Sequence, residues 1–139
     1  MSAARQVHFG SIPQTAPDSS MSKYFTGRVE IRKMVSDLQS REAEMFLVTF
    51  YGGARTKLHF HDSDQILLAT EGSGLVAVQS KASLASEEHA SVDFVIRQLQ
   101  AGDFVMVPAG LWHWHGAKDE GQFAHYQVKR PGSTTWLED

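Results

Sequence analysis

Seven histidines and no cysteine narrow the chemistry open to this chain of 139 residues. Two of the histidines, His59 and His61, stand one residue apart in GARTKLHFHDSDQILLATEGSG, the run from Gly53 to Gly74. Side chains at i and i+2 of an extended strand share a face, so Arg55, Lys57, His59 and His61 project together while Thr56, Leu58 and Phe60 project oppositely. On a surface strand that alternation is a polar face in water. In a closed barrel the same face can turn inward, and two neighbouring imidazoles then make half of a metal site. With no thiolate in the chain, any metal must be held by nitrogen and oxygen. A second cluster, GDFVMVPAGLWH from Gly102 to His113, sets a further histidine behind an apolar strand and a Pro/Gly turn.

The elements that position these residues are short and β-like. YFTGRVEIRKMV, EMFLVTFY, ARTKLHFH, QILLATEG, GLVAVQS, FVIRQLQ, DFVMVPA and FAHYQVKR are each rich in β-branched and aromatic residues and separated by Gly, Asp and Ser. Eight or so strands at this spacing predict an all-β sandwich or small barrel. At 42% hydrophobic composition the chain buries one core, which predicts a single domain. Residues 1–22, polar and carrying proline, read as a flexible arm or an edge segment, and 23–139 as the domain. KASLASEEHASVD, from Lys81 to Asp93, reads as a long hairpin loop or local helical turn, and the tail STTWLED as packing Trp136 back onto the body. A formal charge of -3 and a pI near 6.1 give no basic surface for nucleic acid or anionic membrane. No run approaches the roughly 20 apolar residues of a spanning helix. MSAARQVHFGSIPQ lacks the apolar region of a secretory signal. The cysteine-free composition fits a reducing compartment, and the expected location is cytoplasmic.

Taken together, the two clusters resemble the cupin family. Its first motif, G(x)5HxH(x)3-4E(x)6G, is matched by Gly53, His59, His61 and Gly72, with Gln65 where the glutamate is expected. Its second, G(x)5PxG(x)2H(x)3N, is matched by Gly102, Pro108, Gly110 and His113, with Ala117 in place of the asparagine. The resemblance covers roughly Tyr24 to Arg130. It implies a single-domain jelly-roll β-barrel holding one divalent metal through His59, His61, Gln65 and His113. Asp62, Asp64 or a water are the alternatives to Gln65; Asp64 has the wrong strand parity and Asp62 lies near a turn. A glutamine offers a neutral carbonyl oxygen where a carboxylate would offset charge, so the ion is a stronger Lewis acid and holds anions more firmly. That tilts the expectation away from oxygenase chemistry.

FTGRVEI, GARTKLHFHDSDQ and HWHGAKDEGQFAHYQV are similar to a subgroup of single-domain cupins with three histidines and one glutamine, which includes manganese-dependent bacterial hydroxynitrile lyases. The similarity implies nonredox chemistry on a small carbonyl or hydroxy compound, with a carbon–carbon bond to cyanide made or broken. Manganese(II) is the expected ion and iron(II) the next, while zinc, nickel and cobalt also suit the donors. His125 is the expected base, or else a histidine packed in the barrel; its strand puts His125, Gln127 and Lys129 on one face. Lys129 is expected to join His125 as a catalytic residue and, with Phe46, Val48 and Gln127, to complete the pocket, and Arg55 and Lys57 to attract an anionic ligand to it. His115 is expected behind the ligands or at the surface. Trp112 and Trp114 should point away from the metal, His8 and His89 should be solvated, and Glu71 belongs to the Gly-Ser-Gly turn. An iron-dependent dioxygenase and a noncatalytic small-ligand-binding protein are the alternative functions. The expected partners are a small-molecule substrate and a second copy of the chain, in a homodimer or homotetramer that covers sheet edges and apolar outer faces.

Overall fold

The computed structural model describes residues 6–18, 20–80 and 93–137. The stretch 81–92, with His89, lies outside the described residues. Ten antiparallel strands follow in order: β1 (Pro17–Asp18), β2 (Phe25–Val35), β3 (Glu44–Thr56), β4 (His59–His61), β5 (Gln65–Gln79), β6 (Phe94–Gln100), β7 (Phe104–Val107), β8 (His113–Ala117), β9 (Phe123–Lys129) and β10 (Thr134–Trp136). Among the described residues two short 3-10 turns, Ile12–Gln14 and Ser22–Tyr24, accompany the β-structure. The fold is all-β and closes as a barrel, because the longest strand changes partners along its length.

β5 shows how the barrel closes. Its first half pairs with β9 and β7, its second half with β8 and β6. The two stretches QILLATEG and GLVAVQS, which read as separate strands, are therefore one strand bent at its middle. The register with β9 slips between Ala69 and Glu71, so Glu71 lies in a bulge and not in a hairpin turn. Gly72 makes the bend possible. Its φ of 74° lies in the left-handed region, and a Cβ there would run into the carbonyl oxygen of Gln122. β3 also runs longer than the sequence suggests, absorbing Ala54, Arg55 and Thr56 before the chain breaks at Lys57 and Leu58.

The register sets side chains of three strands into inward-facing layers. Glu44 of β3 lies opposite Lys129 of β9, which lies opposite Gln65 of β5. The next layer holds Phe46, Gln127 and Leu67, and the third Val48, His125 and Ala69. Polarity thus falls from one end of the barrel to the other. Beyond the third layer Phe50 and Phe123 stack at 6.2 Å and are fully buried, with Val76, Ala54 and Ala117 around them. The N-terminal segment runs along β2: β1 pairs with Ile31 and Arg32, Arg32 Nη1 donates to Thr15 O, and His8 Nε2 is 2.9 Å from Met34 O. Trp136 does pack back, stacking on Tyr24 at 4.3 Å.

Candidate metal centre

His59 and His113 lie directly opposite one another on β4 and β8, and Thr134 of β10 lies opposite His61. The Pro108–Gly110 turn fastens this corner. Gly110 N donates to His61 O at 2.9 Å, and Ala109 N to Asp64 Oδ1 at 2.9 Å. One turn therefore delivers β8 beside β4, which is a physical reason for a Pro-x-Gly ahead of the third histidine. Asp64 spends its carboxylate on that turn. Asp62 is exposed and takes a hydrogen bond from Ser133 Oγ at 3.2 Å, so neither aspartate joins the histidines.

The three imidazoles are oriented from behind. His59 Nδ1 donates to Lys57 O at 2.8 Å and His113 Nδ1 to Leu111 O at 2.9 Å, while His61 Nδ1 is 2.8 Å from Thr134 Oγ1. A carbonyl oxygen only accepts, so Nδ1 carries the proton in His59 and His113 and Nε2 is left as a lone pair. One nitrogen from each of the three rings falls within 4.8 Å of the others. Gln65 is fully buried beside them, its Oε1 3.2 Å from His113 Nε2. His61 Nε2 finds no hydrogen-bond partner among the described residues. Acceptors facing acceptors in a buried corner call for a shared cation, and three imidazole nitrogens with one amide oxygen suit a divalent transition metal. The rings are also held neutral, as ligands must be. Burial pushes His59 well below the usual histidine range, with His113 and His61 adding to it; burial and His113 take His61 down to about 3, and burial takes His113 to about 4.

His59 and His61 open onto a cavity of about 240 Å³, with His113 and Gln65 buried behind them. Phe25, Ile31, Phe46, Val48 and Trp136 form its apolar wall, and Glu44, Gln127 and Lys129 a polar one; His59, His61, Thr56 and His115 line it too. Phe46, Val48, Gln127 and Lys129 thus lie with the histidines in one cavity. Arg55 and Lys57 do not. Both are exposed, Arg55 lying over the Trp114 ring at 4.0 Å on the outside. Strand parity fails at Lys57, whose N–H donates to Tyr24 O at 2.9 Å as the chain leaves β3, so Thr56 shares the inner face with His59 in their place. Trp112 packs edge-on against Phe60 on the far side from the histidines.

His125 is fully buried between Phe50 and Phe123 and does not line the cavity. It reaches the cavity through His115, whose Nδ1 lies 3.0 Å from His125 Nε2. His115 Nε2 has no hydrogen-bond partner among the described residues. Burial holds His115 well below the usual range, with His125 adding to it, and burial brings His125 to about 4, so both rings are neutral at pH 7. Sequence reasoning left His115 behind the ligands or at the surface, and missed Glu44 and Thr56 altogether. The alternation in HWH, which points His113 and His115 the same way, was the available signal for the first. Glu44 carries no local signal, since only the β3–β9 register brings it to Lys129.

The fold, the paired motifs and the imidazole corner define a β-barrel class with a candidate metal site, and comparison with known proteins assigns it. The chain belongs to the cupin family, which it matches over residues 22–135. It is 30% identical over 106 residues to an (R)-mandelonitrile lyase of Granulicella tundricola, covering 76% of this chain and 71% of that one. Among solved structures it resembles a cupin-like protein of Thermotoga maritima at 29% identity and a TM-score of 0.71, covering 90% of this chain and 86% of the other. A polyketide cyclase of Streptomyces resistomycificus shares the fold at 12% identity and a TM-score of 0.73, covering 96% and 87%. This is a cupin resembling hydroxynitrile lyases.

Proposed function

We propose that the chain is a metal-dependent lyase that breaks or makes the carbon–carbon bond between cyanide and a small carbonyl compound. The observation that carries this reading is the convergence of three outward-tethered imidazoles and the Gln65 carbonyl in one buried corner, from which His59 and His61 reach a largely apolar cavity, with an unpartnered His115 nitrogen beside them. The likeness to a mandelonitrile lyase supports it. His59, His61, Gln65 and His113 would hold manganese(II), with iron(II) the next choice. When bound, the ion supplies Lewis-acid stabilisation of negative charge developing on oxygen and on the departing cyanide.

The chain's own residues supply the rest. In this reading the 3.0 Å contact is a hydrogen bond from His115 Nδ1–H to His125 Nε2, the tautomer that leaves the His115 Nε2 lone pair toward the cavity. As a cyanohydrin cleaves, His115 Nε2 takes the hydroxyl proton and the bonding pair leaves with cyanide. His115 then returns the proton to cyanide, which departs as hydrogen cyanide, and a carbonyl compound remains. His125 acts through His115, fixing its tautomer and sharing the charge. Phe46 and Val48 shape the apolar side of the pocket; Gln127 and Lys129 bound its polar side.

Benzaldehyde release from racemic mandelonitrile tests this on protein whose metal content has been counted. About one manganese or iron per chain with cleavage above the solution rate is expected, and His59→Ala and His115→Ala should each lower kcat/KM by ~100-fold or more. His59→Ala should lose the metal and His115→Ala keep it. Metal-dependent oxygen uptake without mandelonitrile cleavage would overturn the assignment. A homodimer completes the proposal. On the outer face Ile66 pairs with Met106 and Leu68 with Phe104, an apolar strip left 38 to 73% exposed that a two-fold copy would cover. Sedimentation should give a dimer, and Phe104→Glu a monomer; a monomeric wild type would refute it.

A further inference from the structure

The cavity contains a second polar group of a different kind. Glu44 Oε2 lies 3.5 Å from Lys129 Nζ and accepts a 2.8 Å hydrogen bond from Gln127 Nε2. Lys129 Nζ also donates to Arg130 O at 3.2 Å. The Lys129 and Glu44 side chains are only 5% and 10% exposed, so each charge depends on the other for what water would otherwise provide. The cavity's other lysine, Lys33, is likewise paired, with Asp18 at 2.9 Å. Both ammonium groups that line the cavity therefore have a carboxylate partner, and Asp37 adds a further acid at its wall. Among the described residues the cavity's side chains thus present no uncommitted cation, which leaves attraction for an anion to the metal corner.

We propose that Glu44 is a specificity-determining residue: by holding the Lys129 ammonium it cancels the charge on the polar wall, so that this wall adds nothing to the metal's own pull on a carboxylate and the preference for carboxylates over uncharged ligands is lowered. The inference rests on the reading above that this cavity receives the substrate. Its chemistry is simple electrostatics in a site largely withdrawn from water, where an unpaired charge acts strongly on a ligand a few ångströms away. Removing Glu44 exposes a buried cation to the ligand, and removing Lys129 exposes a buried anion. The two substitutions must therefore shift carboxylate binding in opposite directions. A merely structural role for the pair would shift every ligand in the same direction.

The test is calorimetric titration of the manganese(II)-loaded full chain with benzyl alcohol and with benzoate at neutral pH and fixed ionic strength. Glu44→Gln should tighten benzoate at least tenfold and leave benzyl alcohol within twofold. Lys129→Met should weaken benzoate at least tenfold. The double variant should restore the wild-type ratio of the two affinities to within threefold. Benzoate affinities that agree in all proteins, shifts common to both ligands, or binding of neither probe would each overturn the proposal. Should one single variant fail to fold, the other still carries the predicted sign, and the double variant leaves no buried charge alone. Metal content and mandelonitrile cleavage measured on the same samples separate the two readings. A charge switch without cleavage refutes the lyase and keeps the role of Glu44, whereas cleavage without a charge switch does the reverse.

Discussion

Gln65 is the residue on which the character of the centre turns. It is fully buried, its Oε1 faces His113 Nε2, and its Nε2 has no hydrogen-bond partner among the described residues. Were a divalent ion held by three neutral imidazoles and this neutral amide, no charge on the protein ligands would offset it. Gln65→Glu changes that by one unit with almost no change in shape. The variant should retain about one metal per chain while binding azide at least tenfold more weakly, since a carboxylate beside the ion competes with an added anion. Optical or magnetic titration with azide measures this, and unchanged azide affinity would remove Gln65 from the ligand set. Residue types at fixed spacing made Gln65 and the histidines legible in the sequence. Thr134, which tethers His61 from 73 positions away, was not legible, because a threonine in a short polar tail carries no pattern.

Strand geometry explains why some expectations about faces held and others did not. Alternation placed Phe46, Val48, Gln127 and Lys129 on the inside because β3 and β9 are regular through those residues. It misplaced Arg55 and Lys57 because the chain leaves β3 at Thr56 and re-enters β4 at His59, resetting the phase. A two-residue break is invisible in composition, since KL is as strand-like as its neighbours. The bend of β5 was hidden for a similar reason: EGSG reads as a turn when Gly72 in fact lets one strand pair with two sets of partners. That makes Gly72 a test of the element. Gly72→Ala puts a side chain at φ 74° and against Gln122 O, which should destabilise the barrel by about 2 kcal/mol or more. Urea unfolding would register this as a lower midpoint, and a midpoint equal to wild type would mean the bend does not depend on the glycine.

For the whole molecule, packing five histidines inside one barrel ties its stability to protons and metal together. His59, His61, His113, His115 and His125 are each no more than 6% exposed, and burial lowers all of them. The sign follows from which state binds protons. Above the ordinary value of 6.5 both folded and unfolded chains hold neutral imidazoles, and the stability is fully present. Below it the unfolded chain takes up protons that the folded one refuses, until the folded values of about 4 for His113 and His125 and about 3 for His61 are reached. Each such histidine removes up to about 1.4 kcal/mol per pH unit across that window, against a total of about 5–15 kcal/mol for a domain. The metal-free chain should therefore unfold between pH 6.5 and 4. A bound ion favours the neutral rings and must be displaced before they are protonated, so the loaded protein should unfold at lower pH. Circular dichroism along an acid titration, with and without chelator, measures both midpoints. Coincident midpoints would mean that the histidine corner does not hold the metal, and a metal-free barrel intact at pH 4 would mean that the five imidazoles are not kept neutral by burial.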